Sequence, residues 1–151
     1  MFKAICVFLL LGYFSIGESL DYKKELSALD MIGYKKFDKN ETADLILIDF
    51  WASWCEPCKE SFPYYEAKIK AQKKKILFIS INMDESLQKA QDFLKEYPNT
   101  HVTLWDEKRH VMNRLGFDSI PFLVILDKNW KEQEKIKGFN EKAKKRIEKY
   151  F

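Results

Sequence analysis

The stretch LILIDFWASWCEPCK, Leu45 to Lys59, runs from an apolar segment into two cysteines separated by two residues. Its first part, Leu45 to Ala52, is apolar apart from Asp49. That run is too short for a typical helix and too continuous for a half-exposed strand, so it predicts a strand covered on both faces, as in the centre of a parallel sheet. After the cysteines, Phe62, Tyr65 and Ile69 recur at helical spacing as far as the lysines at 73–75, which predicts a helix with a place to bend at Pro63. The cysteine pair therefore falls where a buried strand hands over to a helix. It could be a staple, half of a metal site, or a working redox couple.

Outward from this junction the same alternation continues. Ile76 to Ile81 predicts a second buried strand. Glu85 to Tyr97 places Leu87, Ala90, Phe93, Leu94 and Tyr97 on one helical stripe before Pro98 stops it. Val102 to Trp105 reads as a short extended piece, Glu107 to Leu115 as a helix ended by Gly116, and Phe122 to Leu126 as another strand. A DKN turn leads to an antiparallel partner at Trp130 to Lys137, and Asn140 to Phe151 forms a last amphipathic helix with a solvated lysine face. Upstream, residues 21–29 predict a short helix leading to an irregular or edge segment. Strands alternating with helices predict an α/β fold with helices on both faces of one sheet.

Of the 151 residues, 46% are hydrophobic and 15% aromatic, ample for a single core, and no repeat or Pro/Gly-rich linker divides the chain. The net charge of +3 comes from 26 basic and 23 acidic residues. Such a mixed surface gives no basic stripe for nucleic acid. Residues 1–19 read as a signal peptide: Lys3 near the start, an apolar run from Ala4 to Ile16, then Gly17 and Ser19, with cleavage after Ser19 favoured over Gly17. The run is short of the roughly 20 residues of a membrane span, and an uncleaved anchor is the alternative. Cys6 leaves with the signal, so residues 20–151 form one exported domain with only Cys55 and Cys58. A pair this close encloses too small a loop to be an effective staple.

At the start of a helix, unpaired backbone N–H groups and the helix dipole favour an anion, so Cys55 is the candidate nucleophilic thiolate. Cys58, three residues on, lies on the same helical face and can close a disulfide with it. Pro57 suits the first turn, where a missing N–H is harmless. Glu56 places a carboxylate beside Cys55, which disfavours its thiolate and makes the dithiol a stronger reductant, weakly so if Glu56 is exposed. A structural zinc site would need further ligands. His101 and His110 have no matching spacing, and each is expected at the surface or a helix end. Asp49 is the misfit of its strand: buried there, its carboxyl would titrate high and could take the proton of Cys58, the alternative being a strand-end carboxylate that reaches solvent.

The segment DFWASWCEPCKESFP closely resembles the active-site segment of the thioredoxin superfamily: a buried acid, aromatic residues, W-C-x-P-C-K, and a proline five residues after the second cysteine. GFDSIPFLVILDKNW resembles the cis-proline region of that superfamily, and Gly138 stands where the family often has glycine. The likeness covers nearly all of residues 40–151. It implies a thioredoxin-like fold, with a central mixed β-sheet flanked by helices on both faces. Pro121 becomes the candidate cis residue and Ile120 the residue whose backbone pairs with a bound substrate strand.

The export signal, the Glu-Pro dipeptide and the helix-rich stretch from Glu85 to Leu115 resemble the TlpA/ResA-like branch. Phe122, where threonine is common, and Asp49, more like thioredoxin itself, depart from it. The resemblance implies an extracytoplasmic thiol-disulfide oxidoreductase, in the periplasm or on the outer face of the cytoplasmic membrane. Its partners would be disulfide-containing clients, with apocytochrome c among them, and a membrane thiol-transfer electron donor. Trp54, Ile120 and Pro121 would form the docking surface. No cofactor is implied beyond the redox-active Cys55–Cys58 disulfide. The rival readings are an oxidant or isomerase of the same fold and a non-enzymatic binding module.

Overall fold

The computed structural model describes residues 20–151, so the signal-peptide segment and Cys6 lie outside the described residues. The chain builds a six-stranded mixed sheet. Helix α1 (Tyr22–Ser27) starts where Asp21 accepts the N–H of Lys24 at 3.1 Å, and it leads into the two-residue edge strand β1 (Asp30–Met31). Strand β2 (Leu45–Trp51) is buried at every position. Helix α2 (Glu56–Lys70) follows it and continues through Pro63. Strand β3 (Ile76–Asn82), helix α3 (Leu87–Glu96) and strand β4 (Val102–Trp105) repeat the alternation. Helix α4 (His110–Leu115), strands β5 (Phe122–Asp127) and β6 (Glu132–Lys137), and helix α5 (Glu141–Ile147) with a closing 3₁₀ turn complete it.

The strand order is β1-β4-β3-β2-β5-β6. Strands β2, β3 and β4 run parallel, β1 on one edge is antiparallel to β4, and on the other side β5 is antiparallel both to β2 and to the edge strand β6. Thus β2 lies between β3 and β5, and the period of two along it divides the core. Ile46, Ile48 and Phe50 meet α1 through Tyr22 and Leu26 and α4 through Val111. Leu45 and Leu47 face the other way, toward Tyr65 of α2 and Ala143 and Ile147 of α5, and Trp51 packs with Phe62 and Phe93. The sheet is covered on both sides.

Two boundaries and one burial differ from the sequence reading, each for a local reason. Helix α4 begins at His110 rather than Glu107. The carboxylate of Asp106 accepts the N–H groups of His110 (2.7 Å) and Val111 (2.9 Å) from outside the helix, and Arg109 is left-handed at φ 54°. Trp130, expected in the last strand, instead belongs to the turn at φ 64°, so β6 starts at Glu132. His101 is a third correction: expected at the surface, it is only 7% exposed. Its ring packs on Phe78 and Phe62, with centroids 4.2 and 5.6 Å apart, and its Nε2 lies 3.1 Å from Ser80 Oγ. His110 does sit at a helix start and is exposed.

Burial, with a smaller contribution from Lys35, lowers the pKa of His101 to about 3. Glu66 stands 3.5 Å from its Nδ1, but enclosure dominates. Unfolding releases an imidazole with the ordinary value near 6.5. Between these two values the unfolded chain binds the additional proton, so the contribution of neutral His101 is full above about 6.5 and is lost as pH falls toward 3. Between pH 7 and pH 5 this amounts to about 2 kcal/mol. Urea denaturation at the two pH values should show His101→Phe, which keeps the ring stacking, losing about 2 kcal/mol less than the native chain.

Candidate active site

Strand β2 ends at Trp51 and the chain must reverse into α2 within four residues. Cys55 is the capping residue of α2, with extended backbone and no side-chain cap. Its N–H donates to the Ala52 carbonyl at 3.0 Å, and its own carbonyl accepts from Cys58 N–H at 3.0 Å. Glu56 and Pro57 occupy the first turn. Cys55 and Cys58 are joined in a disulfide with Cα atoms 5.3 Å apart. Cys58 is fully enclosed and Cys55 nearly so. Trp54, immediately before the pair, is 64% exposed.

The sulfur atoms rest on an apolar floor. Trp51, Phe62 and Phe93 form one cluster with the two cysteines, against which Leu94, Tyr97 and Ile120 pack. Trp51 and Phe62 meet edge to face with centroids 5.1 Å apart, and Phe93 lies 4.6 Å from Trp51. Hence Ile120, far away in sequence, reaches the cysteine cluster. The Ile120–Pro121 peptide bond is cis. Gly138, left-handed at φ 77°, donates its N–H to the Pro121 carbonyl at 2.8 Å. Among the described residues the backbone of Ile120 makes no backbone hydrogen bond, which leaves it available to an extended peptide.

Charge around the pair is unevenly distributed. Glu56 is exposed and pairs with Lys59 at 2.8 Å; the hydrogen bond to Glu56 raises the pKa of that lysine. Such a solvated pair acts only weakly on Cys55. Asp49 is different: it has no exposure and neither carboxylate oxygen has a partner. Burial raises its pKa well above the usual carboxylate range. Its side chain shares the α2-facing side of β2 with Leu47 and Trp51, two residues from Trp51, about 7 Å along a strand. A buried carboxyl whose proton affinity is raised, on the same face of the strand that leads into the helix start, is a candidate proton acceptor for a nearby thiol.

Asp84 is the residue that sequence reasoning missed. Only 1% exposed, its carboxylate accepts the Ser53 N–H (2.9 Å), the Ser53 hydroxyl (2.9 Å) and the Asn82 amide (2.8 Å). Its carbonyl accepts the Trp105 indole N–H at 2.7 Å. The ends of β2, β3 and β4 are thereby tied together beside Trp54 and Cys55. An N-x-D sequence after a buried strand, in Asn82-Met83-Asp84, is the only local signal for it. For metal, no group of three or more His, Cys, Asp or Glu converges among the described residues.

A thioredoxin-like family profile matches residues 43–132. The thiol-disulfide oxidoreductase ResA of Bacillus cereus is 28% identical over 144 residues, spanning 93% of this chain and 82% of that protein. The crystal structure of a putative thiol:disulfide interchange protein DsbE from Chlorobium tepidum is 31% identical, with a TM-score of 0.64 over 72% of this chain and 77% of that one. StoA from Bacillus subtilis shares the fold at 20% identity, with a TM-score of 0.65 over 82% and 94% of the two chains.

Replacing Asp84 with alanine would strand the Ser53 and Asn82 donors in a buried site. Urea unfolding of the oxidised Asp84→Ala protein should show a loss of about 3 kcal/mol, whereas truncation of the exposed Glu56 should change stability by less than about 0.5 kcal/mol.

Proposed function

The chain belongs to the thioredoxin-like family, and from that membership we propose that it is an exported thiol-disulfide oxidoreductase whose Cys55–Cys58 dithiol reduces disulfides in client proteins. The observation that carries this reading is the cysteine pair at the N-terminus of α2, beside exposed Trp54 and the unpaired backbone of Ile120. A peptide laid along Ile120 would bring its disulfide over Cys55. The names of the similar proteins, thiol-disulfide oxidoreductase and thiol:disulfide interchange protein, support the same chemistry.

In the reduced enzyme, Cys55 is the nucleophile, favoured as a thiolate by the helix start. Its sulfur attacks one sulfur of the client disulfide; that bond breaks, a mixed disulfide forms, and the other client sulfur departs as a thiolate. Cys58 then gives its proton to Asp49 and attacks Cys55. The second client thiolate leaves, the client has gained two electrons, and the enzyme holds the Cys55–Cys58 disulfide. Pro57 fixes the turn that keeps the two sulfurs together. Pro121 and Ile120 position the client strand, and Trp54 offers an apolar contact.

Return to the dithiol requires a thiol donor, and an exported enzyme takes it from a membrane thiol-transfer protein. Residues 1–19 act as the export signal, with 20–151 as the working domain in the periplasm or at the outer membrane face. No helix among the described residues is long and apolar enough to cross a membrane. Apocytochrome c, held reduced before haem attachment, is the client class proposed.

Cys55→Ser should abolish reduction of insulin disulfides, and Cys58→Ser should trap client proteins as mixed disulfides that reductant releases. A reduction potential near the strongly oxidising end of the family range, about −120 mV, would overturn the reductase direction.

A further inference from the structure

One row of polar side chains crosses the otherwise apolar α2-facing side of the sheet. Asp49 on β2 is in register with Ser80 on β3, and Ser80 with Thr103 on β4. The three side chains therefore leave the same face on successive strands, about 4.8 Å apart, and all are fully buried. Ser80 Oγ lies 3.1 Å from both Thr103 Oγ1 and His101 Nε2. Thr103 Oγ1 lies 3.3 Å from the Asn99 side chain. On the far side of the imidazole, Nδ1 stands 3.5 Å from Glu66 Oε1. There a cavity of about 180 Å³ is lined by Lys35, Glu66, Lys70, Phe78, Thr100 and His101.

The chain can run in two senses. When Ser80 donates to Thr103 and Thr103 to Asn99 Oδ1, three buried atoms are left without partners: Asn99 Nδ2, His101 Nδ1 and Glu66 Oε1. Hydroxyl protons rotate, amides flip and neutral imidazoles exchange tautomers. In the opposite sense Asn99 Nδ2 donates to Thr103, Thr103 to Ser80, and Ser80 to His101 Nε2, while the Nδ1–H points at Glu66. That reversal turns the Nδ1–H toward Glu66 Oε1, 3.5 Å away, and leaves the Asn99 amide oxygen, in place of its nitrogen, as the unpaired end of the row. The inner end of the row is Asp49, whose oxygens are unpartnered. The outer end is Glu66, whose side chain is 22% exposed and lies 3.8 Å from Lys70 Nζ.

We propose that Ser80, His101 and Glu66 form the path along which the proton taken up by Asp49 reaches solvent and returns. This rests on the reading of Asp49 as the proton acceptor for Cys58. Asp49 and Ser80 are register partners on adjacent strands without a direct hydrogen bond, so the path requires one bridging water between them. When Cys58 attacks Cys55, its proton goes to Asp49. Asp49 passes a proton through that water to Ser80, Ser80 gives its own to His101 Nε2, and the Nδ1 proton moves to Glu66 and out through the cavity. One proton enters, one leaves, and the imidazole ends as the other tautomer. Regeneration of the dithiol needs a proton at Cys58, and inward flow along the same groups restores the first arrangement. Burial keeps His101 neutral, with one nitrogen bare and one protonated, as a relay requires.

The test is a single-turnover measurement of client release from the mixed disulfide, with Ser80→Ala and His101→Phe made in the native and in the Asp49→Asn protein. Far-UV circular dichroism verifies that each variant is folded. The Asp49→Asn change should slow release on the order of 100-fold. Ser80→Ala and His101→Phe should each slow the native protein roughly tenfold and add nothing to Asp49→Asn, a non-additivity that marks one shared route. Ser80→Thr, which keeps the hydroxyl, should retain the native rate. Equal slowing in both backgrounds, or none in either, overturns the path alone. Release from Asp49→Asn as fast as from the parent overturns the role of Asp49, and the path with it.

Discussion

Enclosure of β2 is the constraint on which the rest of the molecule depends. The strand has β3 hydrogen-bonded on one side and β5 on the other, with helices on both faces, so its residues have nowhere to move. Whatever leaves its C-terminal end is fixed in position and direction. The first thing to leave it is the four-residue turn that carries Trp54 and delivers Cys55 to the cap of α2. A sulfur carried by a short turn from a buried strand end to a helix cap is held in a fixed relation to the helix start.

The interior departs from an apolar core at a small number of connected places. Asp49, Ser80, Thr103 and His101 form one polar band under α2, and Asp84 with Asn82 and Ser53 forms another at the strand ends. Buried polar groups are costly unless partnered. Asp84 is fully partnered and acts as a clamp, whereas Asp49 is unpartnered and burial raises its affinity for a proton.

Under the proposed function, the surface around the disulfide would serve general rather than selective recognition. Trp54 supplies exposed aromatic area, and the Ile120 backbone supplies pairing that any extended peptide can meet. Glu56 and Lys59 beside the disulfide neutralise one another. Affinity built from main-chain bonds and one aromatic contact suits an enzyme whose partners share a disulfide and little else.

Much of this was legible in the chain, because β2, β3, α2 and α3 announce themselves by periodicity and the cysteines by their place between two such elements. The exposure of Glu56 and the misfit of Asp49 could also be read, since both depend on which face of a short element a residue occupies. Sequence by itself thus determined the alternation of elements, the strand-to-helix seat of Cys55 and Cys58, and the family likeness. Tertiary structure alone decided that His101 is enclosed against Phe78, that Asp84 holds Ser53, that Trp130 turns left-handed before β6, and that Asp49, Ser80 and Thr103 stand in one row. The physical reason is range: helix and strand periods are set by neighbours a few residues apart, whereas burial, hydrogen-bond partnership and register are set by strands that meet only after the whole sheet has closed.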